Sequence, residues 1–106
     1  MPGVLREPAS RVRIQSRVIR IGRHPDNDII ISDPRVSEHH AELRRTPAGR
    51  YSITDLGSRN GTYVNGTRVN QQEIMDDDII SIGHAITVRL SAGELIEYIS
   101  GGRSPG

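Results

Sequence analysis

The 106-residue sequence contains no cysteine, no phenylalanine, no tryptophan and no lysine. The absence of cysteine excludes a disulfide framework and thiol chemistry, and it agrees with a cytosolic location. The only aromatic residues are Tyr51, Tyr63 and Tyr98, so the core must be built from aliphatic side chains. All 14 basic residues are arginine. Each guanidinium group is a planar fork that suits a carboxylate or a phosphate.

Long apolar runs are also missing. No segment approaches the length needed to cross a membrane, and the first residues, MPGVLREPAS, lack the apolar part of a secretory signal. We therefore expect a cytoplasmic protein, either free or as the cytoplasmic domain of a membrane protein, with no direct membrane insertion by this segment. The formal net charge of +1 and the scarcity of aromatic residues argue against nucleic-acid binding.

Apolar and polar residues alternate along most of the chain, as in RVRIQSRVIRIGR, HAELRRT, RYSITDL and HAITVRL. A period of two is typical of half-buried strands, and the Ile- and Val-rich composition favours strands over helices. The triplet at 29–31 predicts a short buried strand, and DDDIISIG predicts a solvated turn that leads into another strand. Around ten short strands with no convincing helix predict an all-β sandwich. Residues 1–10 are expected to form a flexible lead-in, 11–99 the domain, and 100–106 a linker-like tail.

Three polar clusters fall in predicted loops, at residues 22–23, 37–40 and 58–62. Loops carried on a rigid sheet are where binding and catalytic residues are concentrated. These clusters are rich in arginine and hydroxyl side chains, the convergent donors that a dianionic phosphate requires. Alternatively, the arginines pair with surface carboxylates and the serine and asparagine side chains only cap turns. The residues alone leave both interpretations open.

Catalytic and metal sites are poorly supported by the same residues. Ser37 and His40 lack a nucleophile elbow and an acid that would orient the histidine, so we predict no enzyme. His39 and His40 would point to opposite faces of a strand and could not both bind one ion. The run at 26–28 begins like a calcium loop but lacks its glycine and its final glutamate. We predict neither a metal site nor a cofactor.

Taken in order, IGR, DIIISDPRVSEHHAEL, ITDLGSRNGTYVNGTRV and DDDIISIG closely resemble the forkhead-associated (FHA) domain, over about residues 11–90. The resemblance implies an eleven-stranded, mostly antiparallel sandwich of the FHA/SMAD-like type whose loops at one end bind phosphothreonine peptides. It also implies an upstream Ser/Thr protein kinase. Every threonine of the chain falls inside the predicted sandwich. The phosphothreonine is therefore expected on another protein or elsewhere in a longer parent chain. The arginine usage and the C-terminal sequence are similar to FHA modules of actinobacterial ABC transporters.

The resemblance also implies roles for individual residues. Arg23 would contact the phosphate, and Ser37 would donate its hydroxyl group to it. Asn60 would hold the peptide backbone, and Arg59 would supply a second phosphate donor. Arg35 matches a position that can read the third ligand residue after the phosphothreonine.

Four further residues are expected to be structural. Gly22 would permit a tight approach of two loops, Gly61 would free the backbone of a tight loop, and the imidazole of His40 would bond loop backbone. Asn65 belongs to an ordinary Asn-Gly hairpin turn, whereas the earlier Asn-Gly pair turns the chain at the binding end.

Glu38 departs from the family pattern, which often has a donor after the serine. An ionised carboxylate donates nothing and repels phosphate. Glu38 therefore either points away, paired with Arg59 or Arg35, or weakens binding. It is also the main support for a second interpretation, an FHA-fold interaction domain with weak or lost dependence on phosphate.

Overall fold

The computed structural model describes residues 10–14, 16–91 and 94–99. The predicted tail and residues 1–9 of the predicted lead-in lie outside these ranges, while Ser10 begins the first strand. Eleven strands are present in the described part of the chain: β1 (Ser10–Arg13), β2 (Val18–Gly22), β3 (Ile29–Ile30), β4 (Ala41–Arg45), β5 (Tyr51–Asp55), β6 (Thr62–Val64), β7 (Thr67–Val69), β8 (Gln71–Ile74), β9 (Ile79–Ile82), β10 (Ile86–Ser91) and β11 (Glu94–Ile99).

The strands form two sheets. One has six strands in the order β1-β11-β10-β9-β6-β7, and the other has five in the order β3-β2-β4-β5-β8. All pairings are antiparallel except that of β2 with β3, which is parallel. The predicted all-β sandwich is confirmed. Within the described ranges, no helix has the length and apolarity that crossing a membrane requires.

The core between the sheets is aliphatic. Strand β10 shows why: Ile86, Val88 and Leu90 are buried, whereas the residues between them are partly exposed, as the period of two dictates. Both sheets contribute to one cluster of buried residues, which includes Leu43 and Ile53 from one sheet and Ile80 from the other. Burying each such side chain stabilises the fold by about 1.5–3 kcal/mol.

The isoleucine triplet at 29–31 behaves differently from its prediction. Strand β3 contains only Ile29 and Ile30, and it lies at the edge of its sheet. The side chain of Ile30 is 52% exposed, while Ile29 and Ile31 are buried. The prediction of a fully buried strand was wrong because an edge strand has one face covered and one face open to solvent.

Strand direction brings the three polar clusters together. The last residues of β2 and β5 lie beside the first residue of β4, and β6 begins at the same end of the sandwich. The loops attached to these strand ends therefore meet there. Hydrogen bonds between these loops show the meeting directly, for example from Arg23 N to the Ser37 carbonyl at 3.0 Å and from Arg59 N to the Ser37 hydroxyl oxygen at 3.1 Å. We call this end the loop end.

Candidate functional site

The loop after β2 is joined to the loop before β4 by main-chain contacts. The amide of Arg23 donates to Ser37, and the amide of His24 donates to the Glu38 carbonyl at 3.1 Å. A Cβ atom added at Gly22 would overlap the carbonyl oxygen of Glu38. Only glycine therefore allows the two backbones to approach this closely.

The side chain of Arg23 is anchored at one nitrogen and free at two. Its Nε donates to the Val36 carbonyl at 3.0 Å. Across the described residues, neither terminal nitrogen of this guanidinium has a partner. The anchor limits the number of rotamers that the exposed side chain adopts, so its two free donors are oriented in advance.

The hydroxyl oxygen of Ser37 accepts a hydrogen bond from the Arg59 amide at 3.1 Å. Because the oxygen is the acceptor in this contact, the hydroxyl proton remains available to donate elsewhere. The contact also places Arg59 beside Ser37 although the two are 22 residues apart in the sequence. The guanidinium group of Arg59 is exposed and makes no ion pair with any residue that the structure describes.

His40 is fully buried beneath these loops. Its Nδ1 accepts the Ser37 amide proton at 3.1 Å, so the ring proton must be on Nε2. Nε2 then donates to the Gly61 carbonyl at 2.8 Å. Burial lowers the pKa of His40, outweighing the opposite effects of the bond to Gly61 and the charge of Asp55, so the ring is neutral. His40 bonds the amide of Ser37 and not its hydroxyl group, so the two do not form a nucleophile–base pair.

Asn60 reaches back to the loop that contains Arg35. Its Nδ2 donates to the Arg35 carbonyl at 2.7 Å. The guanidinium group of Arg35 is occupied: Nε and one terminal nitrogen bind the Asp33 carboxylate at 3.0 and 2.9 Å, and the other terminal nitrogen donates to the His84 carbonyl at 3.3 Å. The hydrogen bonds from the side chain and the amide of Arg35 lower the pKa of Asp33 to about 2. A ligand group that approaches Arg35 must therefore compete with Asp33.

Glu38 is exposed, and its carboxylate forms no ion pair within the described ranges. Of the two alternatives stated for Glu38, pairing with Arg59 or Arg35 is not seen among the described residues. The guanidinium of Arg35 is engaged by Asp33, and that of Arg59 makes no ion pair there. The backbone carbonyl of Glu38 is the part that the fold uses, as an acceptor for His24 and Asn27.

Asp55 organises the loop between β5 and β6, and the sequence reasoning missed it. Its carboxylate accepts hydrogen bonds from the hydroxyls of Ser58 and Thr62, at 2.5 and 2.7 Å, and from the amides of Gly57 and Ser58, both at 3.0 Å. Burial raises the pKa of this carboxyl group, but the four hydrogen bonds outweigh it and the net pKa is lowered. An aspartate at the end of a strand, shortly before a glycine and a serine, is typical of a turn, and this pattern could have indicated the role of Asp55 from the sequence.

The two Asn-Gly pairs differ in conformation. Asn65 and Gly66 both have positive φ, 51° and 87°, and they form the two-residue turn between β6 and β7. The φ of Asn60 is not positive, whereas Gly61 has a φ of 92°. The second pair is thus the ordinary hairpin turn, and the first is part of the loop end.

Arg23, Ser37 and Arg59 lie on loops that are hydrogen-bonded to one another at the loop end, and each keeps donors without a partner among the described residues. We call these donors the donor cluster. Charged donors held on adjoining loops suit an anion with several oxygens, because charge-assisted hydrogen bonds are stronger than neutral ones. Asn60 follows Arg59 in the same loop, and its amide nitrogen is bonded to the Arg35 carbonyl.

The FHA domain profile matches residues 19–83, and the chain belongs to this family. The chain is 43% identical over 74 residues to an oxoglutarate dehydrogenase inhibitor from Corynebacterium jeikeium; the match covers 70% of the chain and 51% of that protein. It is 48% identical over 66 residues to the Mycobacterium tuberculosis ABC transporter ATP-binding/permease protein Rv1747, over 62% of the chain and 8% of the transporter. The chain thus spans about half or less of the length of these relatives.

Solved structures agree with the family assignment. An NMR-based structure of the FHA-2 domain of the same transporter has a TM-score of 0.68 and 39% identity, and covers 92% of this chain and 89% of that chain. A structure from work on phosphothreonine-dependent FHA domain interactions has a TM-score of 0.61 and 29% identity, with coverages of 96% and 83%.

Proposed function

We propose that this chain binds phosphothreonine-containing segments of proteins at the loop end and thereby mediates interactions that depend on a Ser/Thr protein kinase. The observation that carries the proposal is the donor cluster. Arg23, Ser37 and Arg59 come from three separate loops, and all three keep donors unused in the described structure. Membership of the FHA family and the likeness to a structure studied for phosphothreonine dependence support it.

The proposed roles are those that the family resemblance implies. The free terminal nitrogens of Arg23 and the hydroxyl of Ser37 bind the phosphate, and Arg59 adds a second cation. Asn60 binds the peptide backbone beside the phosphothreonine. In this proposal Gly22, His40 and Gly61 hold the loops in place, and the chain acts as a binding module rather than as an enzyme.

We further propose that residues 11–99 form the functional domain and that it works in the cytoplasm, where a Ser/Thr kinase supplies its ligand. The pairing of β1 with β11 supports these bounds, because both strands lie outside the profile match yet complete the six-stranded sheet. The ligand lies on another protein or elsewhere in a longer parent chain. Similarity to a transporter relative makes regulation of such a parent protein a specific form of the proposal.

The test is a binding measurement with an oriented peptide library in which the central residue is phosphothreonine, phosphoserine or threonine. We expect saturable binding to the phosphothreonine library alone, with amide NMR shifts at Arg23, Ser37 and Asn60. Arg23→Ala should weaken binding by at least about 1.5–3 kcal/mol, the value of one charged hydrogen bond. The matched control is Arg45→Ala, which removes an exposed arginine at the other end of β4.

A second candidate is an FHA-fold interaction domain that does not require phosphate. The unpaired carboxylate of Glu38, directly after Ser37, favours it because a like charge opposes phosphate binding. Equal binding of the phosphorylated and unphosphorylated libraries would support this candidate and contradict the first.

A further inference from the structure

Three side chains with no role in the donor cluster lie together beside it. Asp26 Oδ1 is 2.8 Å from His24 Nδ1 and 4.0 Å from His39 Nδ1. One ligand atom from each of the three side chains lies within 4.8 Å of those from the other two, and the two imidazole rings stack with their centroids 5.2 Å apart. His24 and Asp26 belong to the loop after β2, and His39 to the loop before β4.

His24 Nδ1 makes two contacts with Asp26, and the ring tautomer decides which of them is a hydrogen bond. With a lone pair on Nδ1, this atom accepts the Asp26 amide proton at 3.1 Å. With a proton on Nδ1, it donates to Asp26 Oδ1 at 2.8 Å. A metal ion bound in place of that proton would meet the ring nitrogen and the carboxylate oxygen together.

We propose that His24, Asp26 and His39 bind a divalent transition-metal ion of the zinc class through Nδ1, Oδ1 and Nδ1. Two imidazole groups and one carboxylate are a ligand set that zinc prefers, with bonds of about 2.0–2.2 Å, and they leave a fourth position open. Magnesium and calcium are disfavoured because they take oxygen ligands.

The backbone that carries these ligands is already fixed. Asn27 is 6% exposed, and its Nδ2 donates to the carbonyls of His24 and Glu38 at 2.9 and 2.7 Å. This amide joins the loop of His24 and Asp26 to the residue before His39. Because these contacts fix the backbone, the three side chains in this proposal reach one ion by rotation alone. The ion would then cross-link the two loops that contain Arg23 and Ser37.

The test uses the tag-free 106-residue chain and zinc chloride, with no peptide present, so it is independent of the proposed function. Calorimetry should give one saturable equivalent of zinc, and NMR should show zinc-dependent shifts of the Nδ1 resonances of His24 and His39. Zinc should also raise the thermal unfolding midpoint, since it binds only the folded arrangement. His24→Asn, Asp26→Asn and His39→Asn should each weaken zinc binding at least about tenfold.

The matched control is His84→Asn. His84 is exposed, its ring packs at a tilt against that of Tyr63 with the centroids 4.5 Å apart, and it is not one of the three proposed ligands. Asparagine tolerates its positive φ of 60°. Amide spectra establish that each variant is folded. Failure to saturate, equal weakening by His84→Asn, or unchanged Nδ1 resonances at His24 and His39 would each overturn the proposal. In the last case a proton on His24 Nδ1, and not a metal ion, fills the position beside Asp26.

Discussion

The buried imidazole of His40 donates to the carbonyl of Gly61 across 2.8 Å and joins two loops that are 21 residues apart in the sequence. On its other side, the ring accepts the amide proton of Ser37. One neutral side chain thus fixes the serine loop against the Asn-Gly loop, and the relative position of Ser37 and Asn60 depends on it.

Replacing His40 by alanine should destabilise the protein strongly. The change leaves the amide of Ser37 without a partner in the described structure, and an unsatisfied buried group costs about 1–3 kcal/mol. It also removes one of the two hydrogen bonds to the Gly61 carbonyl, which keeps its bond from the Gly83 amide. We expect the free energy of unfolding in urea to fall by roughly 2–5 kcal/mol when the cavity is included. The adjacent exposed residue provides the control: His39→Ala, measured with a chelator, should change it by less than about 0.5 kcal/mol. Similar losses in both variants would contradict the bridging role.

The same histidine should make stability sensitive to mild acid. Burial lowers the pKa of His40 in the folded protein below the ordinary value of 6.5. Below that value the unfolded chain takes up the proton first, so the contribution of His40 is complete above pH 6.5 and is lost as the pH falls towards the folded pKa. Between about pH 7.5 and about pH 5.5, wild type should therefore lose more unfolding free energy than His40→Gln. Parallel losses would show that other groups cause the dependence.

The two Asn-Gly pairs should respond differently to the same substitution. Asn60→Ala removes an exposed amide at the loop end together with its bond to the Arg35 carbonyl. It should weaken phosphopeptide binding about tenfold and lower the free energy of unfolding by no more than about 0.5–1.5 kcal/mol. Asn65→Ala removes bonds to Asp78 and to the amide of Ile79, both at 3.0 Å, and places alanine at a φ of 51°. It should lower the free energy of unfolding by roughly 1–3 kcal/mol and leave binding unchanged. Titration and urea unfolding of both variants decide the matter, and identical behaviour would mean that the two turns are equivalent.

Glu38→Arg should tighten binding of a phosphothreonine peptide. The substitution replaces an unpaired carboxylate beside Ser37 with a donor and breaks no ion pair in the described structure. We expect a gain of about 0.2–1 kcal/mol, typical of exposed charges, that shrinks as salt is added. Asp76→Arg makes the same change in net charge in the exposed turn between β8 and β9, far along the sandwich, and should leave affinity unchanged. Unchanged or weaker binding by Glu38→Arg would show that the carboxylate already points away from the ligand.

The strands were predictable from the sequence because alternation is a local property. β4 and β5 lie within the alternating segments HAELRRT and RYSITDL, and the aliphatic core follows from the composition. The triplet at 29–31 was not predictable in the same way, since three consecutive isoleucines carry no alternation that could reveal an edge.

The contacts that assemble the candidate site were less accessible. The bond from His40 to Gly61 joins distant segments, and no local pattern reports such a pairing. The occupation of Arg35 by Asp33, two residues away, could have been considered, because a carboxylate beside an arginine competes with any ligand. For Glu38, the sequence showed the unusual charge but not whether a cation lay within reach.

The bonds from Arg59 to Ser37, from Asn60 to Arg35 and from His40 to Gly61 all exist before any ligand arrives. A site with its loops already joined has little to reorganise during an encounter, so association should proceed in one step whose observed rate rises linearly with peptide concentration. Affinity differences among peptides would then reside in the dissociation rate. Under the proposed function, the lifetime of each complex, rather than the speed of its formation, would set how long a bound phosphothreonine stays shielded from other proteins.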